Sequence, residues 1–111
     1  MADIIQNVRW EENVAVVSVM GDIDYARSTG FQSGLLAIVD KKPDKIVIDL
    51  SDVGYMDSSG VASLVKLLSR MKRRHQSLAL TGLSDRVRNI FQITRLEDVF
   101  DIYGSEQEAT G

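Results

Sequence analysis

The sequence predicts an α/β fold built on a mixed β-sheet, and three observations carry that expectation. Two β-branched segments at the start flank a polar turn, a nearly continuous apolar run sits mid-chain, and helical spacing alternates with strand patterning after the first pair. An antiparallel hairpin followed by strand–helix–strand units requires a sheet with both pairings, its parallel neighbours joined by right-handed crossovers.

Taken in order, Ile4 to Trp10 and Val14 to Met20 are the two arms of the hairpin, with Glu11-Glu12-Asn13 as the turn. Gly21-Asp22-Ile23-Asp24 then breaks the strand pattern. Asp24 is placed to cap a first helix, on which Phe31, Leu35, Ile38 and Val39 recur at helical spacing and which ends before Pro43. Ile46-Val47-Ile48-Asp49-Leu50 reads as the central strand, followed by a loop over Ser51 to Asp57. In the next segment Val61, Leu64, Val65, Leu68 and Met71 form one apolar stripe of a second helix. Its later turns carry Lys66, Arg70, Lys72, Arg73 and Arg74, where cations suit the negative end of the helix dipole. Ser77 to Thr81 make a short strand, Ser84 caps a third helix bearing Val87, Ile90 and Phe91, and Val99 to Tyr103 add an edge strand. We read residues 1–104 as one domain and 105–111 as a flexible polar C-terminal tail.

Composition narrows the function classes. A chain of 111 residues with 44% hydrophobic and 26% charged residues fits a single self-sufficient globular domain. The absence of cysteine excludes disulfides and thiolate chemistry and suits a reducing cytoplasm. The first residues lack the basic segment and apolar run of a signal peptide, and no run approaches the roughly 20 residues that span a bilayer, so no membrane insertion is expected. A net charge of -3 and a single short basic run, Lys72 to His75, argue against nucleic acid as a partner.

The one constellation with chemical content is Met56-Asp57-Ser58-Ser59-Gly60, which opens the second helix. Unpaired backbone N–H groups gather there, and two readings follow from the spacing. In one, Asp57 or Ser58 is simply the N-cap and Gly60 allows close approach of the first turn. In the other, an exposed Ser58 accepts a phosphate, which the positive helix end stabilises by roughly 0.3 to 1 kcal/mol. Such a phosphate would add about -1.5 to -2 charges next to Asp57, with Asp52 and Asp24 expected nearby. Catalysis by Ser58 is not expected: the only histidine, His75, lies far along the same helix, and no small-residue elbow surrounds the serine. Asp52 and Asp57 are too few carboxylates for a metal site, and the isolated glycines form no phosphate-cradling loop, so neither metal nor cofactor is expected.

The segments Val47-Ile48-Asp49-Leu50-Ser51-Asp52-Val53 and Tyr55-Met56-Asp57-Ser58-Ser59-Gly60-Val61 resemble the signature of STAS domains, a family that includes bacterial anti-sigma factor antagonists. Met20-Gly21-Asp22-Ile23-Asp24 is similar to the Gly-Glu-Leu-Asp element of that family, with Asp22 at the glutamate position. Tyr55 stands where phenylalanine is common, and the likeness runs from about Ile4 to Tyr103. The resemblance implies a STAS-type mixed sheet of four to five strands with helices packed largely on one face. It implies no enzymatic activity, but partner switching: the unphosphorylated protein binds an anti-sigma factor that is also a serine-protein kinase and so frees the sigma factor. Phosphorylation at Ser58, with Ser59 as second choice, then releases the partner until a PP2C-type phosphatase restores binding. By the same match Asp24, Asp57, Ser59, Gly60 and Val61 should lie on or beside the partner surface, bordered by Thr81 and Gly82. The alternative role is a STAS subunit of a lipid-transport ABC complex or other sensory assembly.

Overall fold

Alternation of side chains along the strands decides which residues meet which layer. The computed structural model describes residues 4–110. Its strands are β1 (Ile5–Glu11), β2 (Val14–Ile23), β3 (Lys45–Met56), β4 (Ser77–Thr81) and β5 (Asp101–Tyr103), in the spatial order β1-β2-β3-β4-β5. β1 and β2 pair antiparallel and all later neighbours pair parallel, which is the mixed sheet expected. Helices α1 (Tyr25–Val39), α2 (Ser58–Arg73) and α3 (Asp85–Ile93) each connect one parallel strand to the next. Because the strand order advances in one direction, right-handed crossovers put all three on the same face.

That face holds the main core. Ala15, Val17 and Val19 of β2, Ile46, Ile48 and Leu50 of β3, and Leu78 and Leu80 of β4 meet Phe31 and Leu35 of α1, Leu64, Leu67 and Met71 of α2, and Val87 and Phe91 of α3. Phe91 packs edge to face on Phe100, with ring centroids 5.5 Å apart. The intervening strand residues Val16, Val47 and Ala79 point to the other face, where Ala109 covers them.

Two stretches differ from the sequence expectation. β3 does not end at Leu50 but continues to Met56, so Ser51 to Met56 are strand where a loop was expected. β2 likewise continues through Gly21 to Ile23, where the pattern was expected to break, with register shifts between Ser18 and Met20 and between Gly21 and Asp22. β4 pairs with β3 only as far as Asp49. Beyond that point β2 and β3 run on as a two-stranded ribbon, exposed and therefore polar, and polarity is what made it look like a loop. The second difference is at the end of the chain, where Glu106–Thr110 form a short helix, α4, with Ala109 fully buried, instead of a free tail.

Candidate functional site

The ribbon builds the site. Its register pairs Ile23 with Met56, so the two strands end side by side and the next residue of each, Asp24 and Asp57, is the N-cap of a helix. Two helix starts are thereby set next to one another at one end of the sheet. The Asp24 carboxylate accepts from the Arg27 backbone N–H at 3.1 Å and pairs with the Arg27 guanidinium at 2.9 Å.

Asp57 serves both helices. One carboxylate oxygen accepts from the backbone N–H groups of Ser59 at 2.9 Å and Gly60 at 3.4 Å and from the Ser59 hydroxyl; the other accepts from the Tyr25 N–H of α1 at 3.2 Å. The Ser59 hydroxyl, followed by these backbone donors, holds the Asp57 carboxyl below its usual titration range, against the opposing effect of partial burial. Asp57 is therefore ionised at neutral pH.

The two serines consequently differ. Ser59 is half-buried and its hydroxyl is committed to Asp57. Ser58 is exposed, and its hydroxyl makes no hydrogen bond among the described residues. Of the two hydroxyls, the one free to meet an incoming group is Ser58.

The remaining expected residues sort by burial. Gly60 and Val61 are buried, Val61 in the main core, and a Cβ at Gly60 would stand 2.7 Å from Met56 Cγ and 2.9 Å from Ile23 Cγ2. Gly60 thus holds α2 tightly against the ribbon end, and neither residue offers a side chain to a partner. Thr81 is also buried, at the end of β4, and half-buried Gly82 adopts a positive φ of 76°. A Cβ at Gly82 would lie 2.7 Å from the Asp49 carboxylate, so the turn after β4 runs close beneath the ribbon. Asp52, expected near Ser58, lies back along β3, five residues and about 16 Å from Asp57 at the usual strand rise, and does not join the site. His75 lies beyond the opposite end of α2.

Sequence reasoning passed over Tyr25, Arg86, Asn89 and Ile93 and gave Tyr55 no part in the site. Tyr25, Tyr55 and Ile93 are 82%, 42% and 67% exposed. Tyr55 and Ile93, with Arg86 and Asn89 of α3, line a groove of about 560 Å³ that Ser58 and Asp57 border. The available signal was Arg86 itself, a cation on the first turn of a helix, where the dipole disfavours it.

Comparison with known proteins agrees with this architecture. The STAS domain family matches residues 6–109. The chain is 35% identical over 95 residues to the anti-sigma-B factor antagonist of Listeria monocytogenes, covering 86% of this chain and 83% of that protein. It is 34% identical over 96 residues to the anti-sigma-B factor antagonist of Bacillus subtilis, covering 86% and 87%. A solved anti-sigma-factor antagonist (STAS) domain protein from Planctomyces limnophilus superposes with a TM-score of 0.84 at 29% identity, covering 98% of this chain and 95% of that one.

Proposed function

This chain belongs to the STAS domain family, and from that premise we propose that it is an anti-sigma factor antagonist switched by phosphorylation at Ser58. The observation that carries the reading is the contrast at the start of α2, where Ser58 is exposed with a free hydroxyl while Ser59 is tied to Asp57. The unphosphorylated end of the molecule, with Asp24, Tyr25, Tyr55, Asp57 and Ser58, is the surface that meets an anti-sigma factor. That partner also acts as the serine kinase, and a PP2C-type phosphatase reverses the modification. The exchange takes place in the cytoplasm; among the described residues no helix is long and apolar enough to cross a membrane.

The physics of release is local. A phosphate on Ser58 adds about -1.5 to -2 charges one residue from an ionised carboxylate. Like charges set against each other across an interface cost several kcal/mol, and each 1.4 kcal/mol is tenfold in affinity. Ser58 contributes nothing to the core, so the fold itself is undisturbed. We read the protein as a regulatory binding module: His75 is some 25 Å from Ser58 at about 1.5 Å per helical residue, and the adjacent Asp57 carboxylate is engaged in capping both helices.

Incubation with ATP and the candidate serine kinases of the same genome, followed by phosphosite mapping, tests the reading. Label at Ser58 is expected, and absence of label at both Ser58 and Ser59 would sink it. In binding measurements Ser58→Ala should hold the kinase partner and Ser58→Asp should bind it at least tenfold more weakly, with unchanged far-ultraviolet circular dichroism. Equal affinities would place the start of α2 outside the interface.

A further inference from the structure

We propose that Arg86 of α3 receives the phosphate carried by Ser58, pairing with it across the groove that both residues line. The inference rests on the reading of Ser58 as the phosphate acceptor and adds where the phosphate goes. One wall of the groove carries Tyr55, Asp57 and Ser58, and the other carries Arg86, Asn89 and Ile93. Arg9, Arg27, Arg74 and Arg88 each pair with a carboxylate, whereas Arg70, Arg73, Arg86 and Arg95 have no such partner among the described residues, and of these four it is Arg86, itself exposed, that lines this groove.

Among the residues that line the groove, Arg86 is the one cation. Asp57 is ionised and repels it, and the Arg27 cation of α1 is already matched by Asp24. Asp85 shares the first turn of α3 with Arg86 and suits the positive end of that helix, whereas Arg86 sits there against the dipole. A guanidinium presents a planar fork that takes two phosphate oxygens at once, and its long side chain can swing over the groove without moving backbone. The pair then does two things. It fixes the phosphate over the groove, and it covers Tyr55 and Ile93, so that release of a partner comes from a closed apolar surface as well as from added charge.

The test installs phosphoserine at position 58 by genetic encoding and follows the second phosphate ionisation by phosphorus NMR, in the otherwise unaltered protein and in Arg86→Gln, Arg86→Lys and Arg70→Gln. Removing a neighbouring cation disfavours the dianion, so Arg86→Gln should raise that pKa by about 0.15 to 0.7 units, the range of an exposed pair. Arg86→Lys should recover part of the shift, and high salt should shrink it. Arg70→Gln, toward the far end of α2, should leave the value unchanged. An Arg86→Gln curve superimposable on the unsubstituted one, or an equal rise in Arg70→Gln, overturns the pairing. Arg86 is exposed and the Ser84 cap is retained, so the variants should fold. Encoded phosphoserine needs no kinase: a pKa unchanged in Arg86→Gln refutes the pairing alone, and failed kinase labelling refutes the switch alone.

Discussion

Asp57 is the residue on which the site depends, because one carboxylate ties the first turn of α2 to the first backbone N–H of α1. Replacing an N-cap by alanine costs about 0.5 to 2 kcal/mol, and a cap shared by two helices belongs at the upper end of that range. Asp57→Ala should therefore lower stability by about 1.5 to 2 kcal/mol in urea unfolding, and Asp57→Asn by less, since asparagine also caps. Acidity separates charge from capping. The folded carboxyl titrates below its ordinary value, so its stabilising contribution is complete above about pH 4 and is lost as pH falls through the lower folded value. The stability advantage over Asp57→Asn should be constant near neutral pH and shrink below about pH 4; an advantage that persists undiminished at lower pH would assign it to geometry alone. Much of this site was legible from Met56-Asp57-Ser58-Ser59-Gly60, including capping as one of the two readings. The reach of Asp57 to Tyr25 was not, since it depends on a strand register that no local pattern reveals.

Between elements, the critical contact is where α2 leaves the ribbon. A methyl group on Gly60 would meet Met56 Cγ at 2.7 Å, Ile23 Cγ2 at 2.9 Å and the Ile23 carbonyl at 3.2 Å, and both of those side chains are buried and cannot give way cheaply. Alanine gains about 1 kcal/mol of helix propensity over glycine, but overpacking of this kind costs about 1 to 3 kcal/mol. Gly60→Ala should therefore be net destabilising and displace the two caps. Gly30, on α1 with open space around it, supplies the control: Gly30→Ala should stabilise by about 0.5 to 1 kcal/mol. Equal effects at both positions in chemical denaturation would refute the close approach. The same junction explains what composition concealed. Ile46 to Leu50 declares itself as a strand because it is covered by helices, whereas Ser51 to Tyr55 pairs with β2 alone, alternates Val53 with exposed residues and reads as loop. Caps at Asp24 and Ser84 were readable because helix starts have local chemistry; the length of a two-stranded ribbon has none.

For the whole molecule, the sheet has a heavily covered face and a lightly covered one. α1, α2 and α3 bury the first; on the second, Val16, Val47 and Ala79 are fully or almost fully buried, with Ala109 of α4 packed on them. α4 is held at its start by a pair between Glu106 and Arg9 of β1, both partly exposed, so the pair adds little and burial does most of the docking. A five-residue helix does not persist in water unless something holds it, which is why polar residues 105–111 read as a tail. Ala109→Glu places a charge where there is no partner for it, and undocking of α4 is cheaper than burying that charge. The loss is then limited to the docking energy, about 1 to 2 kcal/mol, or roughly 5 to 15 °C in melting temperature for a domain of this size. Because the site at the end of the ribbon is built from β2, β3, α1 and α2, with α4 taking no part, Ser58 phosphorylation and partner affinity should stay unchanged in Ala109→Glu while thermal stability falls. Calorimetry alongside a partner-binding titration decides it: a parallel loss of binding would mean that the second face communicates with Ser58, and an unchanged melting temperature would mean that α4 contributes nothing to the fold.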